Sequence, residues 1–226
     1  MKILFFDTET TGFPKKDLAD PTNPHIIQLA WALYHNEGAH ASFECFKKSE
    51  SLVKPDGWEI PTIDYWLKKG KTMEEIKTKK LDFWSNNGFS MEKSNKEGRP
   101  IAQLMKHFME ASEEADYIVA HNLDFDKKLM IIEMLRLKVS LVKKPDPICT
   151  MQHSTNICKL PGKYGTFKWP TLTELHVYLF QKPFDGAHDA LADVVACADC
   201  FFELKKRNLL TLIPKNETSS GSTTGV

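Results

Sequence analysis

Two hydrophobic periods alternate along this chain. Ile3 to Phe6 are all apolar, a short run that reads as a buried strand over Lys2–Phe6. Ile26–Tyr34 (IIQLAWALY) and Ala41–Phe46 read as two more strands, joined through the turn-forming Asn36-Glu37-Gly38. From Pro100 the period changes. Ile101, Leu104, Met105, Phe108 and Met109 recur at i, i+3, i+4, i+7 and i+8, the stripe of an amphipathic helix opened by proline. Tyr117–Ala120 is a short strand, followed by a helix with Phe125, Leu129 and Ile132 on one face, and Ile148 ends another short strand. Thr171 to Glu174 forms a capping box ahead of a helix striped by Leu172, Leu175, His176 and Leu179; His176 there reads as a packed residue. A last helix is predicted from Asp189 to Arg207. Strands first and helices afterwards predict a mixed α/β sheet.

The stretch from Lys47 to Gly98 is less legible. Thr72-Met73-Glu74-Glu75 is a second capping box. Trp58, Trp66, Phe83 and Trp84 lie among lysines, either as a peripheral helical layer on the core or as a lobe that grips a strand by stacking and charge; the peripheral layer is the simpler expectation. Residues after Pro214 are rich in Ser, Thr and Gly and are predicted to form a disordered tail, 214–226, behind one domain of residues 1–213. No internal repeat is visible.

Composition narrows the class. With 226 residues, 42% hydrophobic and 27% charged, the chain suits one soluble domain, at most with an inserted lobe. The apolar runs are too short to span a bilayer, and the N-terminus does not read as a secretory signal. A formal net charge of zero argues against a strongly basic non-specific binder of nucleic acid. It leaves room for an enzyme with a local basic patch. Five unpatterned cysteines read as reduced thiols of a cytoplasmic protein, and Cys197-x-x-Cys200, in an Ala-rich apolar segment, as buried helix positions rather than zinc ligands.

The chemistry lies in the acids. Asp7 and Glu9 follow the first apolar run, and i, i+2 on a strand face the same way. Such close like charges repel, and a divalent cation would relieve them; an Asp-capped turn would be the plainer use. Asp126, in the first turn of its helix behind an Asn122 or Asp124 cap, suits the helix dipole. His188 and Asp193 sit five residues apart, about 140° around one ideal helix, so His188 must precede or cap a helix that contains Asp193 if the two serve one site. Asp189 and Asp193 are the competing same-face pair, and Gly186 permits a tight approach.

Taken together, DTET at Asp7, HNLDFD ending at Asp126 and HDALAD from His188 to Asp193 resemble, in order and setting, the DEDD superfamily of 3′–5′ exonucleases, in the subgroup whose third motif carries His. Proofreading subunits of polymerases and oligoribonuclease belong there. Lys168-Trp169-Pro170-Thr-Leu-Thr-Glu-Leu also resembles the family, while 47–98 diverges from it. The resemblance implies an RNase H-like (DnaQ-like) α/β fold, a central mixed five-stranded sheet flanked by helices. It implies two divalent cations, Mg²⁺ or Mn²⁺, on Asp7, Glu9, Asp126 and Asp193, with His188 as general base. The expected substrate is the 3′ end of single-stranded DNA or RNA, released as nucleoside 5′-monophosphates. Thr10, Phe13, His121 and Asn122 are expected near the terminal nucleotide, Phe13 alternatively packing in the core. A polymerase or a second copy of the chain is a conceivable partner, and a membrane is not. Two rivals remain open at this point. Asp7-x-Glu9-x-Thr11 loosely echoes the nucleophile motif of haloacid-dehalogenase-like phosphatases, although Asp would be expected at the second position. A non-catalytic nucleic-acid-binding module on the same fold is the other.

Overall fold

The computed structural model describes residues 1–36 and 42–212. Glu37, Gly38, Ala41 and the tail beyond Pro214, for which a turn, a strand start and disorder were expected, lie outside the described residues.

Strand β1 (Lys2–Thr10) is the centre of a five-stranded sheet. It pairs antiparallel with β2 (Ile26–His35) and parallel with β4 (Tyr117–Ala120). β3 (Glu44–Leu52) and β5 (Asp146–Cys149) form the edges, giving the order β3-β2-β1-β4-β5. The edge chemistry fits: β3 carries exposed Lys47 and Lys48, and β5 contains Pro147.

Both faces of β1 are covered, which is why its sequence is a continuous apolar run rather than an alternation. Ile3 and Phe5 face a core shared with α8 (Leu172–Phe180) and α9 (Ala190–Lys206), where Leu175, Val194, Phe201 and Leu204 are buried. Leu4 and Phe6 face the opposite core, with Leu104, Met105 and Phe108 of α5 (Ile101–Glu114) and Leu129 and Ile132 of α6 (Leu123–Leu137). At about 1.5–3 kcal/mol for each fully buried large apolar side chain, these two layers dominate the folding energy.

Between β3 and α5 the chain makes four short helices: α1 (Ile63–Lys68), α2 (Met73–Thr78), α3 (Phe83–Asn86) and α4 (Met91–Glu97). Their lobe closes where Val53 bridges Arg99, and Ile60 and Phe89 pack on Ile27 with Trp58, Trp84 and Met91 around them. Trp58 also stacks on His25, with ring centroids 5.1 Å apart. The expected peripheral layer therefore describes Trp58 and Trp84; Phe83 has a different contact, given below.

The strand expected to end at Phe46 continues to Leu52, because β2 offers a ladder partner out to Gln28. A helix the sequence pattern did not announce is α7 (Thr150–Cys158, TMQHSTNIC). It has no apolar stripe and few strong helix formers. Its hydroxyls bond back into the helix instead: Ser154 Oγ donates to Thr150 O at 2.7 Å and Thr155 Oγ1 to Met151 O at 2.9 Å. Cys197 and Cys200 are buried in α9, and His176 is packed between Phe180 and Phe184 with Nδ1 2.7 Å from Lys182 O. No helix among the described residues is long and apolar enough to cross a membrane.

Candidate active site

The site exists because β1 outruns β4. Their ladder runs from Ile3↔Tyr117 to Phe5↔Val119, whereas β1 continues to Thr10. The N–H of Thr8 thus faces a side of the strand that β4 has left. Asp126, from α6, occupies that side: its Oδ1 accepts from Thr8 N at 3.0 Å and from Thr8 Oγ1 at 2.8 Å. Asn122 opens α6 in a left-handed conformation (φ 72°) and makes no side-chain cap. The turn from β4 into the helix can then be tight enough to bring Asp126 against β1.

Asp7 and Glu9 share the opposite face with Ile3 and Phe5, toward α9. Asp193 lies in the first turn of α9, and His188 lies just before that helix, as the spacing requires. His188 has φ 72°, and its N–H donates to Asp193 Oδ2 at 3.2 Å. Gly186 (φ 80°) lets this turn lie on the helix, for a Cβ there would sit 3.1 Å from that of Ala192. Ligating atoms of Glu9, His188 and Asp193 all lie within 4.8 Å of one another.

The rival pair Asp189 and Asp193 is divided by role. Asp189 caps α9 through Ala192 N at 3.0 Å, and its other oxygen accepts from Gln28 Nε2 at 3.1 Å. Gln28 also donates to Glu50 Oε1 at 2.8 Å and accepts from Ala190 N at 3.1 Å. This buried amide ties the start of α9 to β2 and β3, and so fixes Asp193 and His188 against Glu9. Sequence reasoning passed over Gln28, although a lone amide inside IIQLAWALY was a usable signal. Phe83, from the inserted lobe, meets the His188 ring edge-on with centroids 4.9 Å apart. No local pattern announces that contact.

The carboxylates strain one another. Burial, then Asp126, Asp193 and Glu9, hold the Asp7 carboxyl well above the usual range. Burial and the Asp193 and Asp126 charges push Glu9 up to about 8. Burial raises Asp126 to about 7 against the opposing bonds from Thr8, and Asp193 to about 6 against the His188 N–H. None of the four has a Lys or Arg ion-pair partner among the described residues. Converging oxygen donors that lack a compensating cation suit hard divalent ions.

The residues expected near the terminal nucleotide divide. Phe13 is 86% exposed, touching Phe125 edge-on at 5.9 Å, so the core-packing alternative does not hold. Asn122 stands at the strand end. Thr10 is buried, and its hydroxyl donates to Gly12 O at 2.7 Å, which shapes the turn rather than facing outward. His121 has internal partners on both ring nitrogens, Thr150 Oγ1 at 3.0 Å and Pro170 O at 2.9 Å. Burial lowers it to about 4, so it is neutral. A carbonyl only accepts, so Nε2 carries the proton and Nδ1 accepts from Thr150. His121 is thereby a fastener of the loop at Pro170 and is not free to bond a nucleotide.

No family model matches the chain, and neither does any curated protein. Solved structures do, and they show its fold: the mixed five-stranded sheet flanked by helices is the RNase H-like fold of solved exonucleases. The nuclease domain of 3′hExo, a DEDDh family member bound to rAMP, is 14% identical with a TM-score of 0.61, covering 95% of this chain and 96% of that one. Exonuclease I is 16% identical at a TM-score of 0.62 over 92% of this chain, which spans 42% of that protein's length. Cell-death related nuclease 4 is 16% identical at 0.56, covering 91% of this chain and 64% of the other.

Proposed function

We propose that this chain is a divalent-metal-dependent 3′–5′ exonuclease that removes nucleoside 5′-monophosphates from the 3′ end of single-stranded DNA or RNA. The observation that supports the reading is that ligating atoms of Glu9, His188 and Asp193 lie within 4.8 Å of one another, while the charges of Asp126 and Asp193 act on both Asp7 and Glu9. The fold it shares with solved exonucleases agrees with that chemistry.

In this reading the four carboxylates hold two ions, Mg²⁺ or Mn²⁺. Bound there, the ions would supply a water of lowered pKa and charge neutralisation at the phosphoryl and leaving oxygens. The protein's own part is positional and protolytic. Asp126 is held by two bonds from Thr8, and Asp193 by the start of α9 and the His188 N–H. His188 is exposed, ahead of its helix, with its ring steadied by the edge of Phe83. It can take the proton of the attacking water, the role of a general base. Phe13, exposed apart from its edge-on contact with Phe125, offers a ring on which the terminal base stacks.

The test is hydrolysis of matched 5′-labelled DNA and RNA single strands with Mg²⁺, Mn²⁺ or EDTA. A ladder shortening from the 3′ end, abolished by EDTA and by Asp7→Ala, is the expected result. A trapped phosphoaspartate, or hydrolysis that survives chelation, would refute it.

A further inference from the structure

Between α7 and α8 the chain forms a small hairpin that the catalytic reading leaves without a role. Pro161 bridges Phe167, Gly162 N donates to Thr166 O at 2.8 Å, and Lys168 N donates to Leu160 O at 3.0 Å. A Cβ at Gly162 would sit 2.8 Å from Lys168 N, so the two strands close only with glycine there. The tip turns through Tyr164 (φ 56°) and Gly165 (φ 75°).

Its surface is unusual for this protein. Tyr164 is 100% exposed, Trp169 63% and Phe167 45%, three aromatics that a peripheral loop would ordinarily bury or lack. Lys159, Lys163 and Lys168 alternate with them, and no acid occurs from Lys159 to Trp169. Only Lys168 has an ion-pair partner, Glu174; Lys159 and Lys163 have none among the described residues. The net charge of the whole chain is zero, so this local excess is set apart from the average.

The hairpin is also fastened toward the site. Pro170 O, at its base, accepts from His121 Nε2 at 2.9 Å, and His121 precedes Asn122, which opens the helix of Asp126. Phe125 follows one turn on, bonded through its N–H to Asn122 O, and meets exposed Phe13. Exposed Phe13, part-buried Phe125 and the hairpin rings are thus placed by contacts around the N-terminus of α6.

We infer that the hairpin of Lys159, Lys163, Tyr164, Phe167, Lys168 and Trp169 is a second binding site for single-stranded nucleic acid, engaging nucleotides upstream of the one being removed. Alternating cations and unpaired rings match the two chemistries that a single strand offers, phosphate charge and base faces. The inference rests on the exonuclease reading but can fail separately from it. The part-buried His121, bonded to Pro170 O, gives the loop a fixed place relative to the carboxylates.

Binding of a fluorescein-labelled twenty-nucleotide oligothymidylate is measured by anisotropy in EDTA, for the parent, Tyr164→Ser and the double variant Lys159→Gln/Lys163→Gln. Tyr164→Ser should weaken binding about tenfold, within the range for losing one stacked base. The double variant should reduce the slope of log K against log salt by about 1.4, at about 0.7 per cation on a single strand. With Mg²⁺, both should cleave a dinucleotide at the parental rate and lose efficiency only on the long strand. Parental binding and slope in the variants would overturn the inference, as would equal losses on short and long substrates. If the parent binds the strand through this hairpin yet cleaves nothing, the exonuclease reading fails, and of the inference only the strand-binding role of the hairpin stands.

Discussion

Replacing Glu9 by Gln should make the metal-free protein more stable, although it removes a residue of the site. Glu9 is buried at the end of β1 with its carboxyl pushed from 4.5 to about 8, by burial first and then by the Asp193 and Asp126 charges. An acid whose folded value lies above its unfolded one costs stability at high pH. The cost is relieved as pH falls through about 8 toward 4.5. At 1.36 kcal/mol per pH unit, the full displacement corresponds to about 4–5 kcal/mol; sharing among the coupled acids brings the recoverable part to about 2–4 kcal/mol. For a chain of this size that is about 5–15 °C in Tm. The assay is thermal unfolding in EDTA from pH 5 to pH 9, repeated with Mg²⁺. Glu9→Gln should exceed the parent at pH 8.5, and the gap should nearly close at pH 5, where the unfolded parent begins to carry the proton as the folded one does. Mg²⁺ should raise the parent's Tm at pH 8.5 and leave the variant little changed. A variant that is neutral or destabilised at pH 8.5 without metal would refute the idea that these acids are held together against their repulsion.

Other outcomes follow from the same geometry. Thr8→Val removes the 2.8 Å hydroxyl bond to Asp126 and should cost about 1.5–3 kcal/mol of stability at pH 8.5, read by urea unfolding, with less loss at low pH, where Asp126 is protonated. Phe13→Ala, at a side chain 86% exposed, should leave Tm within about 2 °C while raising KM on a single strand roughly tenfold. His188→Ala should lower kcat by about 10²–10⁴-fold and keep the Mg²⁺-dependent rise in Tm, because the carboxylates remain. Gln28→Leu should weaken that rise and lower kcat together, since Asp189 and Ala190 lose the amide that seats α9; a kcat loss with an unchanged Mg²⁺ response would refute the positioning role.

The local pattern carried most of the elements. Lys2–Phe6 read as a buried strand because its apolar run is short and unbroken, and both capping boxes, at Thr72 and Thr171, stand as the sequence predicted. It could not show how far β1 and β3 extend, since strand length depends on the neighbour's ladder. Nor could it reveal α7, which has no apolar stripe and few strong helix formers and is held by the burial of Met151, Ser154 and Cys158. Among the acids, the i, i+2 rule put Asp7 and Glu9 on one face, and the five-residue spacing required His188 to stand outside α9.

What the sequence by itself determined is therefore the set of acids, their local faces and the motif order, because these follow from backbone periods within a few residues. Their meeting is a property of the fold alone. Asp126 reaches Thr8 only because β4 stops at Ala120 and leaves an unpaired strand edge. Asp193 and His188 reach Glu9 only because Gln28 ties α9 to the sheet. His121 lay in the right motif, yet its nitrogens are taken by Thr150 and Pro170, groups 29 and 49 residues away, a partnership that only three-dimensional packing decides.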